Sequence, residues 1–458
     1  MCPVLFLCND VIGEQMAGPA IRYWELARAL DDAGLSVTLA VLPFVPAAAP
    51  PSKVPFTRLV HCSDDQQVLA LVKASDVIVT HGSLLATYPA LASLGVPLAL
   101  DMYIPFLLER LHVDTDTSGA EHLFVHRDFR RALQQQILAA DFVFCASEKQ
   151  RDYWLGALAA GGRVNPYTHA QDPTLRRLID VVPFGLPAEP PRQTQRVLKG
   201  VHPGIGREDK VLLWGGGIWN WLDAPTLLRA MYLIAQTRRD VKLFFMGTRR
   251  PGHVNPRMMA TAEAVELSDA LGLTNTAVFF NDWVPYEERA NYLLEADVGT
   301  SLHRDHLETR FSFRTRFLDY LWAGLPVIAT RGDVMSQLVE QERLGQVIDA
   351  GDVPGLAGAI LQMVDTPRLR QSFQQRFETV AAAYRWDVVA RPLVRFCREP
   401  DLAPDKSVLR APEVFDVRPS PPWSLPRKAW WAFRLGGMKG LMREVDSYRR
   451  WLFNRRGD

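Results

Sequence analysis

The chain has 458 residues, of which 48% are hydrophobic, and its formal net charge at neutral pH is +1. This length exceeds one ordinary hydrophobic core and predicts two domains of about 150 to 200 residues each. The balanced charge argues against a protein that binds nucleic acid over its whole surface.

The first apolar run, residues 4–8, is short and has no basic residues before it, so we interpret it as a buried strand and not as a signal peptide. No apolar run approaches the roughly eighteen residues that a membrane-spanning helix requires. The five cysteines have no paired spacing, which indicates neither a disulfide framework nor a zinc site. Together these features predict a cytoplasmic protein in a reducing compartment.

Residues 1–190 alternate between strand and helix patterns. A predicted strand over residues 4–8 is followed by a helix from Gly18 to Leu30 and a strand over residues 37–41. A later strand, residues 96–101, ends at Asp101. Because ligands bind at the carboxyl ends of parallel strands, Asp101 is a candidate site residue. The segment predicts a Rossmann-like domain, with a linker near residue 190.

The same alternation resumes in residues 191–385, which we predict to form a second Rossmann-like domain. Its first strand, residues 211–214, runs directly into Gly215, Gly216 and Gly217. Three glycines between a strand and a helix form a backbone surface that a phosphate can approach closely. The alternative is a flexible turn without a ligand.

The stretch from Glu308 to Thr330 has the pattern of a loop, a helix and a buried strand. Ser312 is a candidate helix cap, Gly324 and Pro326 end the helix, and residues 327–330 form the strand. Arg314 and Arg316 lie in the predicted first turn, where the helix dipole favours anions. An anion bound there would contact free N–H groups and both arginines. A solvated arginine pair on a surface helix is the alternative.

The run LDYLWAGLPVIAT, residues 318–330, resembles the signature of the family-4 retaining glycosyltransferases. In that family two glutamates flank seven residues; the first approaches the donor sugar and the second bonds the nucleotide ribose. Aligned on Gly324, the second position is Asp319 and the first is Phe311. Glu308 is the nearby carboxylate that a rearranged loop could bring to the donor sugar. The resemblance implies the GT-B fold, in which two Rossmann-like domains face each other across a cleft.

The resemblance also implies roles for residues outside this run. It places Gly18 beside the acceptor and donor phosphates, gives Asp101 the role of orienting or deprotonating the acceptor, and puts Trp283 and Val284 where the nucleobase is read. The family has an arginine and a lysine after the glycine turn, whereas this chain has Gly217 and Leu222. Arg314 and Arg316 are therefore the expected cations for the donor diphosphate. Arg22 is a further candidate.

Histidines and carboxylates cluster between residues 111 and 131, but their spacings fit no standard metal site. We predict no metal and no cofactor, with the nucleotide sugar bound as a substrate. Cations and helix N-termini would stabilise the leaving diphosphate.

The end of the chain differs from the two domains. Residues 386–399 resemble the family's last helix, which crosses back to the first domain. Residues 400–426 contain seven prolines and predict a linker. Residues 427–458 have nine basic against three acidic residues, interleaved with aromatic side chains. This basic aromatic tail suits the anionic inner face of a membrane, a partner protein or a packing helix. RNA is disfavoured because no RNA-binding motif accompanies the tail.

These features predict a glycosyltransferase that moves a sugar, with retention, from a nucleotide-diphosphate sugar to a glycan or lipid-linked acceptor. Such an enzyme would act in polysaccharide biosynthesis. Two alternatives remain open: a GT-B sugar-nucleotide epimerase, and a catalytically silent homologue that acts as an assembly partner.

Overall fold

A computed structural model describes residues 3–46, 48–49, 53–81, 84–112, 119–249 and 259–409, together with a few positions between 429 and 449. The described residues form two parallel sheets, each covered by helices. We call the first sheet with its helices the first domain, and the second sheet with its helices the second domain.

The first domain has seven strands: β1 (Pro3–Cys8), β2 (Ser36–Val41), β3 (Arg58–His61), β4 (Val77–His81), β5 (Leu98–Asp101), β6 (Phe142–Cys145) and β7 (Ile179–Val181). Its helices are α1 (Gly18–Asp32), α2 (Asp65–Lys73), α3 (Leu84–Thr87), α4 (Phe106–Arg110), α5 (Gly119–Ala139), α6 (Glu148–Ala160) and α7 (Pro166–Gln171). The strand order is β3-β2-β1-β4-β5-β6-β7, and every pairing is parallel.

The second domain has six strands: β8 (Lys210–Trp214), β9 (Val241–Phe245), β10 (Val278–Phe280), β11 (Val298–Ser301), β12 (Val327–Thr330) and β13 (Gly345–Ile348). Its helices are α8 (Ala224–Ala235), α9 (Ala260–Ala270), α10 (Arg289–Glu295), α11 (Leu307–Phe311), α12 (Arg316–Trp322), α13 (Val334–Glu342), α14 (Val353–Asp365) and α15 (Leu369–Ala383). The strand order is β10-β9-β8-β11-β12-β13, again all parallel.

The apolar strands are buried because helices cover both faces of each sheet. Along β1, for example, Leu5, Phe6 and Leu7 have no exposed surface. Several helices begin at a polar residue whose side chain accepts a hydrogen bond from the first turn, as Asp64, Ser147 and Asp223 do.

In each sheet the strand order reverses at one strand, β1 in the first and β8 in the second. Ligands in open parallel sheets bind in the crevice at such a reversal, outside the carboxyl ends of the strands. The segments that follow β1 and β8 therefore lie where a ligand is expected.

The chain crosses back to the first domain after α15, through α16 (Trp386–Val389) and α17 (Arg391–Arg398). Gly185 permits this crossing, since a Cβ atom there would lie 2.5 Å from the Trp386 ring. Arg398 donates a hydrogen bond to the Ala33 carbonyl at 2.8 Å. Beyond α17, before α18 (Lys406–Leu409), Asp405 pairs with the buried Arg163 at 2.8 Å, which holds this segment on the first domain.

The predicted cap at Ser312 is wrong. Helix α12 begins at Arg316, and its N-cap position is Thr315, which makes no side-chain capping bond. The Ser312 hydroxyl instead donates to the Thr309 carbonyl at 3.0 Å, so it closes the preceding short helix α11.

Most of the predicted linker (400–426) and most of the basic aromatic tail (427–458) lie outside the described residues. The described positions from 429 to 449 are helical, and Trp430 and Phe433 are half exposed. Within the part of the chain that the structure describes, no helix has the length and apolarity to cross a membrane.

Candidate active site

A cavity of about 550 Å³ lies between the carboxyl ends of the two sheets. Its lining comes from the segments that follow β1, β5 and β7 in the first domain, and from those that follow β8, β9, β10 and β11 in the second. We call this cavity the cleft.

The glycine turn after β8 forms part of the cleft wall. Gly216 has φ +73°, a left-handed conformation that glycine adopts without strain. Gly217 packs under an aromatic ring, because a Cβ atom there would lie 2.7 Å from Trp219. Helix α12 fixes the start of the turn, since the Gly215 N–H donates to the Tyr320 hydroxyl at 2.7 Å. Gly215, Gly216 and Gly217 all line the cleft, and their contact with a phosphate stays a prediction.

Arg316 lies beside this turn. Its Nη2 donates to the Gly217 carbonyl at 2.8 Å, and its guanidinium carbon lies 4.6 Å from the centre of the Trp214 ring. Its Nη1 is buried and has no hydrogen-bond partner among the described residues. Burial lowers the pKa of Arg316 to about 10, with a further lowering by Arg314 and an opposing effect of Tyr320. The side chain therefore remains a cation at neutral pH with one unused donor group in the cleft wall.

Arg314 has a different environment. Its two terminal nitrogens donate to both carboxylate oxygens of Glu308, at 2.7 and 3.1 Å. Both side chains are buried, and Asp333 lies 3.8 Å from Arg314 Nε. Arg314 lines the cleft, whereas Glu308 lies behind it. The positive charge of Arg314 is thus largely balanced within the protein.

Asp319 lines the cleft one turn further along α12. It accepts a hydrogen bond from Arg289 at 3.1 Å, and its side chain is 42% exposed. The Arg289 guanidinium stacks on Tyr286, 3.6 Å from the ring centre, and donates to the Tyr286 carbonyl at 2.6 Å. One carboxylate is thereby held at the edge of the cleft with room for a further hydrogen bond.

Of the candidate residues in the first domain, one lines the cleft and the others do not. Gly18, at the start of α1, lines the cleft. Asp101 does not line it; this carboxylate is bound by Arg22 at 2.5 and 3.1 Å, with both side chains fully buried. Arg22 also donates to the carbonyls of Val182 and Pro183. Asp101 and Arg22 therefore join α1 to β5 and the end of β7.

Of the two residues predicted to contact the nucleobase, only one lines the cleft. Trp283 lines the cleft and covers Gly247, where a Cβ atom would lie 2.7 Å from the Trp283 ring. Val284 is buried and does not line it.

Glu109 is a cleft residue that the sequence analysis missed. It belongs to the short helix α4, lines the cleft and is half-buried. Its carboxyl group has no hydrogen-bond or ion-pair partner among the described residues. Burial and the nearby charge of Glu308 raise its pKa to about 8, although Arg314 acts in the opposite direction. Since Glu109 is part of no motif and no clear periodic pattern, the sequence contains no signal for it.

The described residues contain no group of three or more His, Cys, Asp or Glu side chains arranged to hold a metal ion. The polar groups of the cleft wall include backbone amides, hydroxyls, arginines and carboxylates, a set suited to a phosphorylated, hydroxyl-rich ligand.

Comparisons with known proteins agree with this architecture. Residues 209–366, which include most of the second domain, match the family model described as Glycosyl transferases group 1. A comparison with curated protein sequences finds no match.

Solved structures of several glycosyltransferases share the fold at low sequence identity. Sucrose-phosphate synthase from Thermosynechococcus elongatus is similar with a TM-score of 0.60 and 15% identity, over 87% of this chain and 99% of that one. WaaG, a glycosyltransferase involved in lipopolysaccharide biosynthesis, has a TM-score of 0.56 and 14% identity, over 86% and 100%. Anabaena HepE in complex with UDP-glucose has a TM-score of 0.58 and 14% identity, over 87% and 100%. The predicted GT-B fold, with two parallel α/β domains, is thereby confirmed.

Proposed function

We propose that the protein is a retaining glycosyltransferase of the family-4 type, which transfers a sugar from a nucleoside diphosphate sugar to an acceptor hydroxyl. One observation carries this proposal. A glycine turn, an arginine with an unused donor group and a partly exposed carboxylate line the same cleft, in the domain whose sequence matches the glycosyl transferase family model.

In this proposal the donor diphosphate lies against Gly215, Gly216 and Gly217, whose lack of side chains lets its oxygens approach the backbone. Arg316 Nη1 donates a hydrogen bond to a phosphate oxygen. This buried nitrogen has no hydrogen-bond partner among the described residues, so the phosphate would satisfy it. Asp319 accepts a hydrogen bond from the ribose, and Trp283 lies beside the base. HepE, which has the same fold, binds UDP-glucose.

The transfer forms a bond between the acceptor oxygen and the anomeric carbon, and breaks the bond between that carbon and the diphosphate. The nucleoside diphosphate leaves, and the acceptor proton passes to the diphosphate or to water. Negative charge grows on the leaving group as the bond breaks. A cation held beside the glycine turn stabilises this charge without having to reorganise, so Arg316 contributes most in the transition state.

Glu308 and Asp101 act indirectly in this proposal. Glu308 holds Arg314 in place through two hydrogen bonds, and Asp101 holds Arg22 in the same way. We assign both carboxylates positioning roles, in place of the donor-sugar and acceptor-base roles that the sequence suggested.

We further propose a cytoplasmic enzyme whose acceptor is a glycan or a lipid-linked glycan, with the basic aromatic tail in contact with an anionic membrane surface. WaaG, a structural neighbour, is involved in lipopolysaccharide biosynthesis. At the donor site, arginines of the chain itself would stabilise the leaving diphosphate.

The balanced charge of Arg314 favours a second candidate function. With Arg314 paired to Glu308, Arg316 is the one arginine beside the glycine turn, among the described residues, whose charge is not balanced by a carboxylate. A single unbalanced cation is little for a diphosphate with about two negative charges. A catalytically silent homologue that serves as an assembly partner would tolerate such a site.

Incubation with a panel of nucleotide sugars separates the candidates. A transferase releases free nucleotide and shows a thermal shift with its donor. Interconversion of sugars without nucleotide release would identify an epimerase, and the absence of both binding and turnover would favour the silent partner.

A further inference from the structure

The two walls of the cleft differ in charge. The second domain contributes four arginines to the lining, Arg249, Arg289, Arg314 and Arg316. The described residues that line the cleft from the first domain include no lysine or arginine. They are apolar or glycine apart from Tyr103 and Glu109. Ile21, Ile104, Phe184 and Leu186 are examples of this apolar wall, which we call the first-domain wall.

Arg22 lies behind this wall but does not make the wall cationic. Arg22 has no exposed side-chain surface, and its donors are used by Asp101 and by the carbonyls of Val182 and Pro183. A phosphate or carboxylate group placed against the first-domain wall would therefore be desolvated without a cation from that wall to receive it, which is costly.

Among the described residues of this wall, Glu109 is the one with a carboxyl group. That group makes no hydrogen bond or ion pair with another described residue. Burial and the charge of Glu308 raise the pKa of this carboxyl group to about 8, against the opposing effect of Arg314, so its protonated form is accessible near neutral pH. A protonated carboxyl group donates one hydrogen bond and accepts others, which matches an alcohol hydroxyl. The surrounding apolar side chains match a ring or chain without charge.

We propose that the first-domain wall is a subsite for an uncharged acceptor with an apolar body, and that Glu109 hydrogen-bonds an acceptor hydroxyl there. This inference rests on the proposed function, because it names the class of acceptor that the enzyme takes. It assigns Glu109 the role of a specificity-determining residue, and it disfavours sugar phosphates as acceptors.

Calorimetry on the full chain tests this assignment. Protein saturated with UDP is titrated with 4-nitrophenyl α-glucoside, an uncharged sugar with an apolar ring, and with glucose 6-phosphate. We expect the nitrophenyl glucoside to bind at least about tenfold more tightly, because only the phosphate loses solvation without a partner. Tighter binding of glucose 6-phosphate, or no binding of the nitrophenyl glucoside, would overturn the proposal.

Variants of the wall sharpen the test. Glu109→Ala should lower the affinity for the nitrophenyl glucoside about five- to tenfold, because one hydrogen bond is lost. The affinity for UDP should not change. Glu109→Gln, which still donates and accepts, should keep most of the affinity. Asp152→Ala, which removes an exposed carboxylate of the same domain, is the matched control. Ile104→Arg adds a cation to the wall and should shift the preference towards glucose 6-phosphate.

Two outcomes separate this inference from the proposed function. If wild-type protein binds none of UDP, GDP and ADP, the proposed function is wrong. If UDP binds normally and Glu109→Ala leaves the affinity for nitrophenyl glucoside unchanged, or weakens UDP itself, the acceptor assignment alone is wrong.

Discussion

Arg314 and Arg316 are two residues apart, and their partners give them different roles. Arg314 forms two hydrogen bonds with a buried carboxylate, so removing it would leave Glu308 as a buried and unpaired charge. Arg316 shares one nitrogen with the Gly217 carbonyl and has another without a partner among the described residues. Among the described residues, Arg314 Nε also has no hydrogen-bond partner, but a carboxylate balances the charge of Arg314 and none balances that of Arg316. We therefore expect Arg316 to meet the ligand and Arg314 mainly to support the structure.

The first prediction concerns Arg316. Arg316→Ala should lower turnover by roughly ten- to a hundredfold, because charge-assisted hydrogen bonds contribute about 1.5 to 3 kcal/mol. Binding of the bare nucleoside should change much less, since the charge that Arg316 meets grows as the sugar leaves. Steady-state kinetics and nucleoside binding measure the two effects. Arg310→Ala, at an exposed arginine of α11, is the control. Equal turnover by Arg316→Ala and wild type would show that another cation holds the phosphates.

The second prediction concerns Asp319. Asp319→Ala should weaken donor binding about tenfold or more, the loss expected for hydrogen bonds to a charged group. It also leaves Arg289 without its carboxylate, so folding of the variant is checked by circular dichroism. Asp319→Asn keeps the shape and one acceptor oxygen and should fall between wild type and alanine. A folded Asp319→Ala protein with unchanged donor affinity would contradict the ribose role.

At the scale of elements, α12 and the glycine turn form one unit through Tyr320. The Tyr320 hydroxyl accepts from the Gly215 N–H at 2.7 Å and lies 2.9 Å from the Thr300 carbonyl, to which it donates. Gly299 makes room for the ring, because a Cβ atom there would lie 2.8 Å from it. The hydroxyl therefore connects β8, β11 and α12 at the edge of the cleft.

The third prediction follows from this connection. Tyr320→Phe removes the hydroxyl that accepts the hydrogen bond of the buried Gly215 N–H group. The free energy of unfolding should fall by about 1 to 3 kcal/mol, and UDP should bind more weakly because the turn is less fixed. Denaturant unfolding and calorimetry measure these changes. Tyr232→Phe removes a more exposed hydroxyl on α8 and is the control. Wild-type stability in Tyr320→Phe would show that the hydroxyl does not fix the turn.

At the scale of the molecule, contacts between the domains close the rims of the cleft. Gln150 donates to the Phe311 carbonyl at 2.8 Å, and the Tyr286 hydroxyl donates to Glu25 at 3.0 Å. The rings of His112 and His306, one from each domain, pack with centres 4.0 Å apart and planes tilted by 31°. These contacts join the two domains at the rims of the cleft.

The fourth prediction uses the histidine pair. Burial lowers the pKa of both imidazoles, and the charge of His306 lowers that of His112 further; Glu308 opposes these effects, whereas Arg314 adds to them. Below about pH 6.5 the unfolded chain binds protons that the folded pair resists, so stability is lost as the pH falls. His112→Phe keeps an aromatic ring against His306 but cannot be protonated. Its free energy of unfolding should fall less than that of wild type between about pH 7.5 and 5.5.

The control for this pair is His169→Gln, at an exposed histidine of α7. It should leave the pH dependence of wild type unchanged. If His112→Phe and wild type lose the same stability on acidification, the histidine pair does not contribute to that loss.

The fifth prediction concerns the basic aromatic tail. Full-length protein should float with vesicles that contain an anionic lipid and not with neutral vesicles, because basic residues are attracted to a negative surface. Deletion of residues 427–458 should abolish flotation, and about 0.5 M salt should weaken it for the intact protein. A full-length protein that never floats would identify the tail as a packing or partner element.

Much of the fold could be predicted from the sequence because its signals are local. Apolar runs separated by amphipathic helices predict parallel sheets with helices on both faces, and the glycines after residue 214 mark the turn that faces the cleft. Asp319 is predicted from a short motif, and Arg314 and Arg316 from their place at the start of a predicted helix; all three line the cleft. Each of these inferences depends on residues within a few turns of one another.

Only the tertiary structure decided which side chain pairs with each buried charge. Which of Arg314 and Arg316 has its charge balanced depends on how α11 brings Glu308 to one of them. Asp101 ends a strand as predicted, but Arg22, 79 residues away, occupies its carboxylate. Glu109 reaches the cleft only because the second domain faces α4. Local propensity determines where a strand or helix forms, whereas the pairing of a buried charge depends on contacts between distant segments, for which a single sequence contains no pattern.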